Sequence, residues 1–456
     1  MVKKPTLIVL FCAIVLGAAV YYFDWKKGSE KKPDSADTSK PVFTSFQGSD
    51  IRSITISHPS QPASPPMQLE KRAGDWQIVQ PVATEADQST ASGIVDQIAS
   101  VRVAQTEPGS EDRRKAYGLE PAQIAIDFQL ANGAKHSILL GNQDFTNEYA
   151  YAVVDGAQSV SLLPQLLATS AGKSLDDMRD RAVLHLATED IHFIDLKNSS
   201  GGLTLSKADG QWKIEKPEGV GAGHDAVDSL LEAVNNAKIV SVASETPDNL
   251  GKYGLASPAI TFSAANAKGP KATLMVGKKD GNAYFARDDS RPTIFRIDAS
   301  LEGKLAQTFG DLRDKQIVHA DASDLKRFEL QTARGSFTLV PKPSDPAEWI
   351  FDSPADQKGK AAASWKVLDP LGTMQADEVI DHPSPAQLDQ LSNPAVHLTL
   401  TGKDGKDLNL RVSNLTGDTA YAQVDGNPAL FKIKKSDFDQ LNVTAGDLSA
   451  GNVALQ

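Results

Sequence analysis

Ala116-Tyr-Gly-Leu-Glu-Pro121 and Lys252-Tyr-Gly-Leu-Ala-Ser-Pro258 are nearly the same phrase, and Tyr117 and Tyr253 stand 136 residues apart. Other landmarks keep that spacing. Trp76-Gln-Ile-Val-Gln-Pro81 matches Trp212-Lys-Ile-Glu-Lys-Pro217, again 136 on, and Trp349-Ile-Phe-Asp-Ser-Pro354 follows after a further 137. Leu119-Glu-Pro121 and Leu255-Ala-Ser-Pro258 find a third version in Leu391-Ser-Asn-Pro394. Tyr151, Tyr284 and Tyr421 lead the stretches AYAVVDG, AYFARDD and AYAQVDG. Asp177-Met-Arg-Asp180 matches Asp311-Leu-Arg-Asp314, with Asp447-Leu-Ser449 as a degraded third version. Several landmarks in one order at one period are the signature of a repeated unit.

The copies run over 42–181, 182–316 and 317–456. Each opens on alternating apolar strand, as in Ile51-Arg-Ser-Ile-Thr-Ile56 and Leu203-Thr-Leu205, and turns at Ala73-Gly74 or Asp209-Gly210 into the Trp strand. A helix follows. Thr84-Glu-Ala-Asp87 offers a capping box, and Ile94, Val95, Ile98 and Val101 share one face, as Val227, Leu230, Leu231 and Val234 do in the second copy. In the third, Leu368 and Leu371 hold the register, but Pro370 between them predicts a kink or a restart. Ile124–Phe128 and His136–Leu140 then read as a hairpin through Asn132-Gly133, and the Tyr strand and Val160–Leu163 as another. Gly118 and Gly254 give the backbone freedom for a turn, and Pro121 and Pro258 an extended approach to the next strand. Hairpins punctuated by helices predict an α+β fold: three tandem copies of an antiparallel-sheet-plus-helix unit. Trp76, Trp212 and Trp349 are expected as core anchors.

Pro5 to Phe23 holds nineteen uncharged residues, which as a helix would span about 28 Å, close to a hydrocarbon core. Tyr21, Tyr22 and Trp25 suit an aromatic belt, so residues 1–25 read as an uncleaved membrane anchor. A cleaved signal ending at Ala18-Ala19 is the competing reading. Residues 26–41, rich in Lys, Ser, Asp and Pro, read as a flexible linker.

Residues 1–41 hold seven Lys against four acids, which leaves forty basic and fifty-four acidic residues in 42–456, a balance of −14. So acidic a body is a poor partner for nucleic acid. The chain's only cysteine, Cys12, lies in the apolar run, so disulfides, thiolate zinc sites and Cys nucleophiles are excluded from the body. The expected orientation puts the amino terminus inside and the body on the periplasmic side of the inner membrane.

The ordered set Trp-x-Ile-x-x-Pro, Tyr-Gly-Leu-x-Pro, Ala-Tyr-x-x-x-Asp and Asp-Leu/Met-Arg-Asp resembles a bacterial family of repeated, membrane-anchored domains of unknown function. Its members often accompany ABC transporter components of the gliding-motility auxiliary type. The resemblance covers about 42–456 and weakens in the third copy, where Asp389-Gln390 replaces Tyr-Gly and Ser449 replaces Arg. It implies association with an envelope transport or motility system and supplies no catalytic residues.

Enzyme signatures are scarce: the chain has no HExxH, P-loop lysine motif, GxGxxG or GxSxG, and its eight His are scattered. Calcium-loop spacing is absent from Gly277–Gly281 and Lys403–Asp407, which read as turns. No cofactor or metal is expected. Asp177, Arg179, Asp180, Asp311, Arg313 and Asp314 form the most specific polar pattern. They read as segment-end or inter-repeat contacts, with a partner- or ligand-binding patch as the sharper alternative. The expected function is a non-enzymatic envelope scaffold or accessory subunit. The alternative is a module that binds glycan or another envelope polymer.

Overall fold

The computed structural model describes residues 39–186, 190–267, 269 and 271–449. The expected membrane anchor and most of the linker lie outside them. Among the described residues, no helix is long and apolar enough to cross a membrane. The chain divides after Arg181 into two compact units, of which the first holds one nine-stranded sheet and the second holds two.

In the first unit β1 (Lys40–Pro41) is followed by β2 (Ile51–Ser57), β3 (Met67–Arg72), β4 (Asp75–Gln80) and β5 (Thr84–Glu85). Helix α1 (Gln88–Ser100) leads to β6 (Arg102–Val103), β7 (Gln105–Glu107) and α2 (Glu111–Ala116). Then come β8 (Ile124–Leu130), β9 (Lys135–Gln143), β10 (Tyr149–Val154), β11 (Val160–Pro164), α3 (Gln165–Ala171) and α4 (Leu175–Met178). The sheet order is β5-β4-β3-β2-β8-β9-β10-β11-β7, antiparallel throughout. Two four-stranded meanders are thus joined at their first strands, β2 and β8. Helix α1 carries the chain from one edge strand, β5, to the other, β7.

Local chemistry explains these elements. Ala73 (φ 52°) and Gly74 (φ 106°) both take positive φ between the paired Arg72 and Asp75, which matches the twist of a two-residue hairpin. Asp209 (φ 51°) and Gly210 (φ 80°) repeat it. The cap of α1 differs from the expected one. Asp87, not Thr84, is the N-cap and accepts the Thr90 amide at 2.7 Å, while Thr84 lies in edge strand β5. Ile94, Val95 and Ile98 of α1 are buried over the sheet with Trp76 and Ile78, each full burial of such an aliphatic side chain contributing about 1.5–3 kcal/mol.

The repeated Tyr-Gly-Leu phrase covers the reverse face. Ala150 and Ala152 of β10 face the main core, whereas Tyr151 and Val153 pack with Tyr117, Leu119 and Val160 in a second, smaller core. Tyr117 stacks on Tyr151 with ring centroids 3.7 Å apart. Gly118 has φ 67°, and a Cβ there would fall 2.5 Å from Asn142 Oδ1. Gly141 of β9 is the complement, since a Cβ on it would lie 2.2 Å from the Tyr117 carbonyl oxygen. Gly254 and Gly277 repeat the pair against Tyr253. The third copy lacks Tyr-Gly, and there the strand glycine is replaced by Ser413, whose hydroxyl accepts the Tyr421 amide. Turn and strand therefore change together.

In the second unit one sheet runs from Val220–Gly221 through Gln211–Lys216, Gly201–Ala208, Ile191–Asn198, Ile260–Asn266, Ala272–Asp280, Ala283–Asp288 and Ile294–Asp298 to Ser241–Ser244. The other, built on strands from Leu325–Thr332 to Leu430–Lys434, has the same order. Helices His224–Asn236 and Trp365–Thr373 take the place of α1. The latter passes through Pro370 and has nine residues in place of thirteen, because its first turn is replaced by extended backbone around Ala361–Ala362. Trp76, Trp212 and Trp349 are buried, and the prolines closing their motifs, Pro81, Pro217 and Pro354, all follow cis peptide bonds.

Candidate functional site

The Asp-Leu/Met-Arg-Asp motif sits at the end of each copy and falls into two parts. Its first Asp is a cap. Asp177 Oδ2 accepts the Ser174 amide at 3.3 Å while Ser174 Oγ accepts the Asp177 amide at 3.2 Å. Thr308 and Asp311 do the same at 2.8 and 3.3 Å, and Thr444 and Asp447 at 2.8 and 3.3 Å. This reciprocal box satisfies two backbone donors that a helix start leaves open. These hydrogen bonds, from side chain and backbone, hold Asp177 and Asp311 below the usual carboxylate range. The Ser/Thr-x-x-Asp spacing was a readable cap signal that the period-based reading passed over.

The Arg is the other part. Arg179 is 5% exposed, with Nε 3.1 Å from Asp176. The Asp180 amide donates to Glu85 O, and Ala86 and Arg179 form a backbone bridge, so α4 closes onto edge strand β5. In the second unit Ala222 bridges Arg313, and the Asp314 amide donates to Gly221 O, in the same way. Arg313 also reaches the third copy. Its guanidinium grips Asp381 through both carboxylate oxygens, Nε to Oδ2 at 3.1 Å, with the two side chains only 9% and 14% exposed. Such a fork fixes direction as well as charge. Gln316 bridges Gln375 in backbone and donates Nε2 to Gly372 O at 2.8 Å. His382 and Glu218 lie 3.0 Å apart at the rim.

Asp314 supports this joint from the side. It accepts the Gln316 amide at 3.0 Å and faces His319 Nε2 at 2.8 Å. Burial works against its charge, but the bonds from His319 and Gln316 hold it below the usual carboxylate range. Hydrogen bonding to Asp314 in turn raises His319 above the ordinary imidazole value.

A second polar feature escaped the sequence because it forms only when strands pair. Gln68, Thr55, Asp127 and Ser137 stand side by side across β3, β2, β8 and β9. Thr204, Asp195, Ser263 and Thr273 form the same row in the second copy, and Thr338, Glu329, Thr399 and Asn409 in the third. Each row holds one acid. Asp195 is matched by Lys271 at 2.6 Å, and Glu329 by Arg327. Burial raises Asp127, the acid of the first row. A polar hollow of about 750 Å³ lies over this row, lined among others by Ser53, Lys135 and His136.

Chemically, these groups fix geometry. Asp177 and Asp311 are engaged as caps, Arg313 as a clamp, and Asp314 as the partner of an imidazole. The hydroxyls beside Asp177 and Asp311 are those of Ser174 and Thr308, at 2.6 and 2.7 Å, and they belong to the same caps.

No curated protein and no solved structure matches the chain. One family does match, twice, over residues 76–222 and 212–391. Each match begins on a Trp strand and ends in the next copy, so its frame is shifted against the sheets by β2 and β3 or their counterparts. Together the matches cover well over half of the sequence, and the chain belongs to the DUF4340 family, a domain of unknown function.

Proposed function

We propose that this chain is a non-enzymatic envelope scaffold: an accessory subunit of an ABC-transporter or gliding-motility-type system, held at the inner membrane by residues 5–23 with its body on the periplasmic side. The observation that carries the scaffold reading is the use made of the motif the copies share. Its carboxylates cap helices and its Arg313 clamps the second copy to Asp381 of the third. Polar groups used for rigidity leave a large acidic surface, −14 over residues 42–456, available to a neighbouring protein. The transport association comes from the resemblance of the repeat motifs.

Mild crosslinking in native membranes, pull-down and mass spectrometry test the reading, with a chain lacking residues 1–25 run beside the intact one. Enrichment of transporter subunits with the anchored form is the expected result. Recovery of wall material in their place, or of no membrane protein at all, would overturn it.

A further inference from the structure

Three tryptophans of the body are buried to within 3–6% exposure, but Trp365 is 56% exposed. It is peculiar to the third copy: at the period of the repeat, Ser92 and Asp228 hold its place. The lost first turn of that copy's helix puts the indole at the mouth of a cleft between helix Trp365–Thr373 and helix Lys435–Leu441. The cleft measures about 710 Å³. Its counterpart in the first copy, between α1 and α3, measures about 310 Å³ and is lined by Val101, Leu166 and Leu167, with no indole.

We infer that this cleft of the third copy is a carbohydrate-binding subsite with Trp365 as its stacking platform. A pyranose offers a flat face of C–H groups and a rim of hydroxyls. It needs an exposed aromatic plane with carboxylate and amide groups around it. Here the cleft beside the indole is lined in addition by Asp369, Thr373, Gln375 and Gln440. Asp437 across the cleft is engaged at a helix start, accepting the Lys434 amide at 3.4 Å. Lys366 lies 5.8 Å from the indole centroid and donates to Asp447 O at 3.1 Å. That ammonium already stands near the ring, which disfavours a cationic ligand and leaves a neutral or acidic sugar as the fitting occupant. This assignment is independent of the scaffold reading.

The test is NMR of indole-¹⁵N-labelled full chain in a sugar-free zwitterionic detergent, with Trp365→Phe identifying the resonance. Triacetylchitotriose, maltotriose and hexalysine are titrated separately to millimolar concentration, which separates an amino-sugar source, a glucose source and a cationic peptide. The expected result is a saturable shift of the Trp365 indole with at least one oligosaccharide. Trp365→Ala should weaken that binding at least about tenfold, as loss of a central aromatic anchor does, and Trp365→Phe should retain most of it. Asp369→Asn should weaken it severalfold while the thermal unfolding midpoint stays unchanged. A resonance that moves only with hexalysine overturns the assignment. So does sugar binding that survives Trp365→Ala, or a resonance that none of the three moves.

Discussion

Arg313 and Ser449 occupy the same place at the ends of the second and third copies. Arg313 is clamped on Asp381, 68 residues along the chain. Ser449 turns its hydroxyl back to Ala445 O at 3.0 Å. Just upstream of each, at Asp311 and Asp447, the two copies are alike, each closing a box with a threonine. The motif is therefore composite. The cap serves the local fold and is kept in every copy, whereas Arg313 serves the joint to the third copy, where Asp381 supplies its acid.

What the two copies share should be tested first, since it carries the largest effect. Trp212→Ala and Trp349→Ala each empty an indole's volume from a closed core, and losses of about 3–5 kcal/mol are expected for both in urea denaturation. A much smaller loss at Trp349 would mean that the third copy is loosely packed, and the contrast at residue 449 would then reflect general decay, not a specific exchange. The contrast itself comes second. Arg313→Ala strands Asp381 in a nearly closed site and should cost about 2–3 kcal/mol, whereas Ser449→Ala should stay within about 0.5 kcal/mol. The double change Arg313→Met with Asp381→Leu should recover much of the loss, because stranding a buried charge costs more than removing both. Equal effects at 313 and 449 would break the comparison.

Much of the unit was legible. The period placed the copies, alternation placed Ile51–Ser57, and the stripe of Ile94, Val95 and Ile98 placed the helix. Pairing across the helix was not, because β2 and β8 are far apart in the chain and nothing local in either selects the other. Strands of two or three residues, such as Thr84–Glu85, carry no periodicity, so a cap was read where an edge strand forms. The same limit hid the joint. Asp381 lies in Asp381-His-Pro-Ser384, which reads as an ordinary turn until the fold brings Arg313 to it. Trp365 sat on a helix pattern in a body whose other tryptophans are core anchors, and its exposure follows from a shortened helix that Pro370 only hinted at.

The shared cap gives a smaller effect. Thr308→Ala and Thr444→Ala each remove one half of the reciprocal box, and about 1 kcal/mol is expected for each. A loss confined to Thr308 would show that the third copy's box is not holding its turn at 445–448, and the composite view of the motif would fail on its constant half.

The smallest effect concerns the side support of the joint, and its sign follows from linkage. His319 is raised by Asp314, so its contribution is fully present below the unfolded imidazole value of about 6.5 and is lost as pH rises through the folded value above it. Asp314 is lowered, so its contribution is present above its unfolded value of about 4 and is lost as pH falls through the folded one. Both operate between those limits, and the pair should favour the joint most in mildly acidic solution. With His319 62% exposed, solvent screening should keep the effect below about 1 kcal/mol. Urea midpoints measured from pH 5 to pH 8.5 should fall gently for the native chain, and His319→Gln should flatten that slope. If the slope is unchanged in His319→Gln but disappears in Arg313→Ala, the pH dependence belongs to the clamp, and Asp314 is a bystander to it.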